Sequence, residues 1–429
     1  MNGLTFRGAT ALVAAASFAV AAVVALVSAD ASASTSGLAP GTRFYVPGPN
    51  PAAQQQIARL TSSGEKADAA RVAALASTAH AVWISGGSPN DARVSAQKTV
   101  NRAAGKNQLP VLALYNVPGR DCSGYSAGGA TDLASYQAWI DGVAAGIGDR
   151  PAIVILEPDG LGLLPQSNCG SQDFTDADRY AELGYAVDTL GRGAATRVYL
   201  DATHSAWQSV GDAAQRLVLA GVERAAGFFL NVSNYQYASN EVFYGTWISN
   251  CIAYATKIAP GGFGACPNQY WDGGPATNWD GDALSPYLVW RNEPYSGDHA
   301  DLAWNTVGID SRWASMLGST QPTTHFVVDT SRDGLGPWQT TVAYPDKQDW
   351  CNPPGRGAGP RPTADTGSAL ADAFLWVKVP GESDGSCNRG IPGATTDPEW
   401  DGIVDPAAGV WFPEQALQLA QLAAPPLVP

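Results

Sequence analysis

Carboxylates crowd the places where the apolar runs of this sequence end. Tyr115-Asn116-Val117-Pro118-Gly119-Arg120-Asp121-Cys122 follows one run, and Glu157-Pro158-Asp159-Gly160 follows the next. Asp201 and His204, then Asn231 and Asn234, then Asp329 and Arg332, and finally Lys378, Glu382 and Asp384 close later runs. Carboxyl groups facing one cavity repel one another, so at least one has a raised pKa and holds a proton near neutrality. A protonated acid beside ionised ones is what glycosidic bond cleavage requires. Pro158 stops its run and presents the Asp159 carboxyl just beyond it. The structural alternatives are a plain capped turn for Glu-Pro-Asp and a plain ion pair for Arg120-Asp121. A second chemistry is written in Gly124-Tyr125-Ser126-Ala127-Gly128, a G-x-S-x-G pattern with Asp201 and His204 downstream. A nucleophile elbow sits directly between a strand and a helix, whereas Ser126 lies about ten residues past its run, behind Pro118 and Gly119, which disfavours a serine hydrolase. The only histidines are His80, His204, His299 and His325, and neither H-E-x-x-H nor C-x-x-C occurs, so no metal and no cofactor is expected.

The elements that must position these groups are legible as a rhythm. Apolar runs at 43–46, 81–84, 110–115, 152–156, 197–201, 227–231, 324–329 and 374–379 read as strands. They are continuous rather than alternating, as strands covered on both faces are. Helical patterns lie between them, at 54–60 with 67–77, 136–147, 176–191 and 211–219, and Thr175 stands as a capping residue before one of them. Strand and helix alternating at roughly 40 residues per unit imply an α/β protein with a parallel sheet, closed or nearly closed into a barrel. One stretch, about 236–322, breaks the rhythm with Gly-Gly pairs, Pro and aromatics, and holds a single helical piece near 242–258. So long an insertion reads as functional or as a lid.

Composition bounds the partners. The 429 residues carry 25 Lys+Arg against 39 Asp+Glu, a formal charge of −14, which argues against nucleic acid and anionic membranes. With 45% hydrophobic residues and 14 Trp, 15 Tyr and 11 Phe, the chain is no disordered polymer. Residues 1–33 read as a signal peptide: Arg7, an Ala-, Val- and Leu-rich run over 9–27, then Ala31-Ser32-Ala33. A membrane anchor is the alternative for that run. The remaining 34–429 form the expected catalytic domain of a secreted protein, and no Pro/Thr/Ser-rich linker announces a carbohydrate-binding module. Export makes disulfides the expected state of Cys122, Cys169, Cys251, Cys266, Cys351 and Cys387. Six cysteines allow 15 pairings, and the spacing favours three consecutive ones, 122–169, 251–266 and 351–387.

Several segments together resemble the signatures of glycoside hydrolase family 6, the inverting cellulases. They are Y-N-V-P-G-R-D-C at 115–122, V-I-L-E-P-D at 154–159, D-A-T-H-S-A-W at 201–207, N-V-S-N-Y at 231–235, D-T-S-R-D-G at 329–334, W-C-N-P at 350–353 and W-V-K-V-P-G-E at 376–382. The resemblance implies a distorted seven-stranded parallel (β/α) barrel, TIM-barrel-like. It implies Asp159 as the acid that protonates the leaving oxygen. Asp121 becomes the second Asp that keeps this acid protonated and handles the water chain, with Arg120 paired beside it. Tyr115 lies under the distorted sugar ring, and Asp384 is the candidate base. Trp83, Ser85, His204, Trp207, Asn234, Trp350, Lys378 and Glu382 match sugar-contacting positions, types suited to stacking on glucose faces and bonding ring hydroxyls. One departure stands out: where the family's mobile loop often has Ser, this chain has Ala127, so Ser126 or a backbone carbonyl would hold the water. The 27 positions from Asp384 to Trp411, an active-site loop at about 384–411, resemble exo-acting members that release cellobiose from non-reducing ends. An endo-acting glucanase, a mixed-linkage glucanase and a non-catalytic glucan-binding protein are the alternatives. β-1,4-Glucan chains and cello-oligosaccharides are the expected ligands, and the expected state is a monomer.

Overall fold

The computed structural model describes residues 37–122, 124–269 and 307–428. The expected leader at 1–33 and much of the insertion therefore lie outside the described residues. Among the described residues seven parallel strands form one sheet, each paired with its neighbours in chain order: β1 (Val82–Ile84), β2 (Val111–Leu114), β3 (Ala152–Leu156), β4 (Thr196–Asp201), β5 (Gly227–Leu230), β6 (His325–Asp329) and β7 (Ala371–Leu375). The helices are α1 (Pro51–Ser62), α2 (Lys66–Ala76), α3 (Pro89–Ala104), α4 (Leu133–Ile147), α5 (Asp176–Leu190), α6 (Val210–Leu219), α7 (Ala238–Ala253), α8 (Val307–Leu317) and α9 (Pro413–Gln421). A parallel sheet needs a crossover for every step; helices α3 to α8 supply it from β1 to β6, and the step from β6 to β7 is made by the loop at 330–370.

Helix starts are written locally. Ser88 with Asp91, and Thr175 with Asp178, form reciprocal capping boxes on α3 and α5. Asn50 caps α1, where Pro51 occupies the first turn without losing a hydrogen bond. Along β2 and β3, Leu112, Leu114, Val154 and Leu156 face the helical shell, while Val111, Ala113, Ile153 and Ile155 face the interior with Tyr199, Phe229, Val327 and Leu375. Both faces are dry, which is why the runs are apolar throughout.

The sheet curls but its ladder does not close between β7 and β1. The Ala81 N–H donates to the Trp376 carbonyl at 2.8 Å, and the Trp83 indole donates to the Val377 carbonyl at 2.9 Å, across that seam. A third apolar cluster, with Ala53, Leu75, Trp376, Trp411 and Leu419, packs α1, α2 and α9 together there. Two expected strands change. The run at 43–46 is only a bridge from Phe44 to Leu109, because Gly41 at φ 79° and Pro47 bound it. The last strand is Ala371–Leu375 rather than 374–379, because its ladder to β6 begins at Ala371 opposite Phe326, with a register shift there. The three expected disulfides are formed, and no free cysteine remains. The helical piece expected near 242–258 is α7 followed by one π-helical turn, Tyr254–Ile258. Among the described residues no helix is long and apolar enough to cross a membrane.

Candidate active site

Strand order puts the two acid-bearing segments side by side, since β2 and β3 are paired. Glu157 ends β3 at φ 56°, and its buried Oε2 accepts the N–H groups of Asn116 (2.7 Å) and Val117 (3.0 Å) in the loop after β2. Burial pushes the Glu157 carboxyl up to about 7 against those bonds. Asp159 follows at φ 63° and is half-buried. Among the described residues no donor reaches its carboxyl. Burial raises its pKa well above the usual carboxylate range, and the charges of Asp201, Asp121 and Asp384 raise it further. Asp201, at the end of β4, holds the Asp159 loop: its Oδ2 accepts the N–H groups of Leu161 and Gly162, both at 3.1 Å.

Asp121 sits at φ 55°, and its Oδ2 accepts the Ser126 N–H at 2.6 Å. Burial raises its pKa, opposed by that bond and by Arg120. The Tyr115 hydroxyl is likewise raised, first by burial, then by Asp159 and Asp121. Tyr115 meets Trp83 edge-on, ring centroids 5.5 Å apart, and the Arg120 guanidinium stacks 4.6 Å from its ring centre. The expected Arg120–Asp121 ion pair is not made. Arg120 donates instead to the carbonyls of Tyr115 (2.6 Å) and Ser126 (2.9 Å), because the loop curls back over it and offers main-chain acceptors.

Asp384 is different in kind. Its Oδ2 meets Arg332 at 2.7 Å and the Asn352 N–H at 3.0 Å, and its Oδ1 meets Lys378 at 2.9 Å. Burial alone would raise it; the Arg332 and Lys378 charges outweigh burial and hold it at about 2. One half-buried acid biased toward its protonated form therefore faces one carboxylate locked in its ionised form. A carboxyl that keeps its proton is one of the two groups that cleavage of a glycosidic bond calls for.

The description glycosyl hydrolases family 6 matches residues 39–423. This chain belongs to that family. Endoglucanase A of Thermobispora bispora is 32% identical over 419 residues, 97% of this chain and 69% of that relative. Endoglucanase A of Cellulomonas fimi is 33% identical over 385 residues, 90% of this chain but 62% of the relative, so this chain spans less than two thirds of it. A probable 1,4-beta-D-glucan cellobiohydrolase C of Aspergillus terreus is 29% identical over 348 residues, 75% of this chain and 62% of that one. Among solved structures, the endoglucanase Cel6 from Mycobacterium tuberculosis, in complex with a methyl-cellobiosyl-thio-cellobioside, superposes with a TM-score of 0.61 at 32% identity, over 90% of this chain and 98% of that one.

In this family 6 glycoside hydrolase the remaining predicted residues divide. Trp83, inside β1, and His204, Trp207, Asn234 and Glu382, beyond strand ends, are half-buried, and Ser85 is exposed. His204 accepts the Ala206 N–H at its Nδ1, and burial pushes its pKa down to about 3, so it is neutral. Trp207 packs on Gly162, where any side chain would strike its ring. Trp350 is exposed and leans on Tyr125 with centroids 6.0 Å apart. Lys378 bonds Asp384 and the Ser383 carbonyl, leaving one donor of its ammonium. Glu382 lines a pocket of about 310 Å³ with Asn50, His80 and Trp411. Ser126 uses its N–H on Asp121 and its carbonyl on Arg120. It lies in a turn and not between strand and helix, which removes the elbow reading.

Sequence reasoning did not single out Asn352 and Arg179. Asn352, at φ 41°, ties Ser383, Gly385 and Asp405 through its amide and exchanges backbone–side-chain bonds with Asp384. Its signal was its place in the quoted W-C-N-P segment. The signal for Arg179 was an Arg–Glu pair at i,i+3 inside an otherwise apolar helical face. Among the described residues one group brings metal-ligand types together, Cys387, Asp397 and Asp405. Cys387 is in a disulfide and Asp397 is ion-paired with Arg389, which leaves Asp405 alone, its Oδ2 accepting from Asn352, to offer a ligand.

Proposed function

We propose that this chain hydrolyses β-1,4-glucosidic bonds by single displacement, with Asp159 as the acid that protonates the leaving oxygen and Asp121 as the carboxylate that takes the proton of the attacking water. Tyr115 lies under the cleaved ring, and Trp83, Trp207, Trp350 and their polar neighbours line the glucan path. The observation that carries this reading is the Asp159 carboxyl, which no donor reaches among the described residues and on which the charges of Asp201, Asp121 and Asp384 act. Asp384, held ionised, acts as a fixed negative charge; a carboxylate with a pKa of about 2 has little proton affinity to offer as a base. Single displacement delivers the α-anomer first. Proton NMR of the earliest products from a β-linked cello-oligosaccharide reads the anomer directly, and a β-anomer formed first would reject the mechanism.

The mode we propose is exo, with cellobiose released from non-reducing ends. It is supported by contact among three loops, those after β2, β6 and β7. Tyr125, after β2, packs against the backbone of Gly385, after β7, and against Trp350, and Gln348 reaches its hydroxyl at 3.4 Å. Loops meeting in this way suit an enclosed path. The endo reading is favoured by the Thermobispora, Cellulomonas and Mycobacterium relatives, which are named endoglucanases. Viscometry on a soluble cellulose derivative separates them: slow viscosity loss with rapid release of soluble sugar is expected, and the reverse would establish the endo mode. We further infer that residues 34–429 act as one exported catalytic domain, supported by the apolar leader-like run at 9–27 and the three disulfides.

A further inference from the structure

The loops carrying Asp121 and Asp159 have little regular structure of their own, yet one residue of α5 holds both. Arg179 lies in the first turns of that helix and is 1% exposed. Its Nη1 donates to the Gly160 carbonyl at 2.7 Å and its Nη2 to the Pro118 carbonyl at 2.8 Å. Its Nε is seated on Glu182 Oε2 at 3.3 Å. Gly160 directly follows Asp159, and Pro118 stands three residues before Asp121. Glu157 works from the other side by accepting the N–H groups of Asn116 and Val117. Asp121, Glu157 and Asp159 all hold positive φ, a conformation that persists in non-glycine residues only where the surroundings over-determine it.

We propose that Arg179 is a positioning residue that sets the spacing between the Asp121 and Asp159 carboxyls by gripping one carbonyl of each loop with the two prongs of its guanidinium. The inference rests on the reading of those two carboxyls as the acting pair. An inverting reaction needs room for one water between acid and base, neither more nor less. A misplacement of about 1 Å costs on the order of 10²-fold in rate. Lysine keeps the charge but has no planar fork, so it holds one carbonyl in place and leaves the other buried and unpaired.

The test is Arg179→Lys, read on cello-oligosaccharides over pH beside the wild type. The expected result is a kcat lower by about 10²-fold with KM nearly unchanged, because substrate contacts are intact while transition-state alignment is lost. A second readout separates positioning from mere stability. The groups facing Asp159 are Tyr115 and Asp121 from the β2 loop, Asp201 from β4 and Asp384 from the β7 loop. When Asp121 drifts away, its repulsion weakens, Asp159 gives up its proton more readily, and the basic limb of the pH profile moves to lower pH. A folded variant with wild-type kcat and limb overturns the proposal. So does a kcat loss with the limb unmoved, since a falling folded fraction scales the whole profile without shifting it. If Arg179→Lys does not fold, Glu182→Gln removes only the anion seated on Nε; the same shift, smaller, is expected, and an unmoved limb overturns the proposal. A wild-type chain that cleaves no glucan would sink the functional reading itself, whereas an active one with an indifferent Arg179 sinks the grip alone.

Discussion

Replacing Asp159 by alanine is expected to lower kcat on unactivated cello-oligosaccharides by about 10³-fold or more, while aryl cellobiosides with good leaving groups lose about tenfold. The difference follows from what the carboxyl supplies. A sugar alkoxide leaves only if it is protonated as the bond breaks, whereas a nitrophenolate leaves as the anion. The site is built to keep that proton available. Asp159 is half-buried, no described donor stabilises its ionised form, and three other carboxyls act on it. Because its pKa is raised, the active protonated form persists above the usual carboxylate range, and activity is lost as pH rises through the raised value. Removing Asp121 or Asp384 charge removes part of that elevation and should draw the basic limb downward. Steady-state rates on matched substrates with poor and good leaving groups measure the first effect. Equal losses on both would show that Asp159 does not act as the acid.

Asp384→Asn is expected to cost about 3–5 kcal/mol of stability, read as a drop in the urea midpoint with the slope unchanged. The amide keeps the shape but leaves the Arg332 and Lys378 cations facing no anion, and the Arg332 side chain is fully buried. Breaking one side of a buried pair costs more than the intact pair contributes, because the remaining charge is left desolvated. The pH dependence has a definite sign. The folded-state pKa of about 2 lies below the ordinary aspartate value of 3.8, so the stabilisation is complete above about pH 4 and is lost as pH falls toward 2. The shift corresponds to about 2 kcal/mol. Wild type should therefore lose this increment on acidification, and the Asn variant, lacking the titrating group, should show a flatter stability curve between pH 5 and 2. A curve of the same steepness in both proteins would mean that other carboxylates, not Asp384, carry the acid sensitivity.

Much of this was legible because it is local. Continuous apolar runs followed by Asn116, Glu157, Asp201, Asn231 and Asp329 mark strands that end in polar groups, and parallel order brings those ends to one rim. The cysteine pairings followed from spacing. The strand count of eight failed at 43–46 because a propensity for extended chain is not a ladder: Phe44 bridges to Leu109 and goes no further. The Arg120–Asp121 pair failed for a related reason. Adjacent opposite charges look like partners, but the curled loop gave Arg120 two carbonyls and gave Asp121 a backbone N–H.

Residue types and their order were enough to establish the α/β class, the family and the acidic strand ends, since these depend on periodicity and on short segments read in place. Protonation states were not available at that level. Asp159 and Asp384 are the same residue type in similarly glycine-flanked turns, yet one is driven up by burial among carboxyls and the other is pulled down by two cations from β6 and β7. Charges from distant parts of the chain meet only once the sheet curls, and the energy between them depends on separations of a few ångströms. The grip of Arg179 on two loops is of the same kind, a contact between carbonyls 42 residues apart that no linear pattern announces.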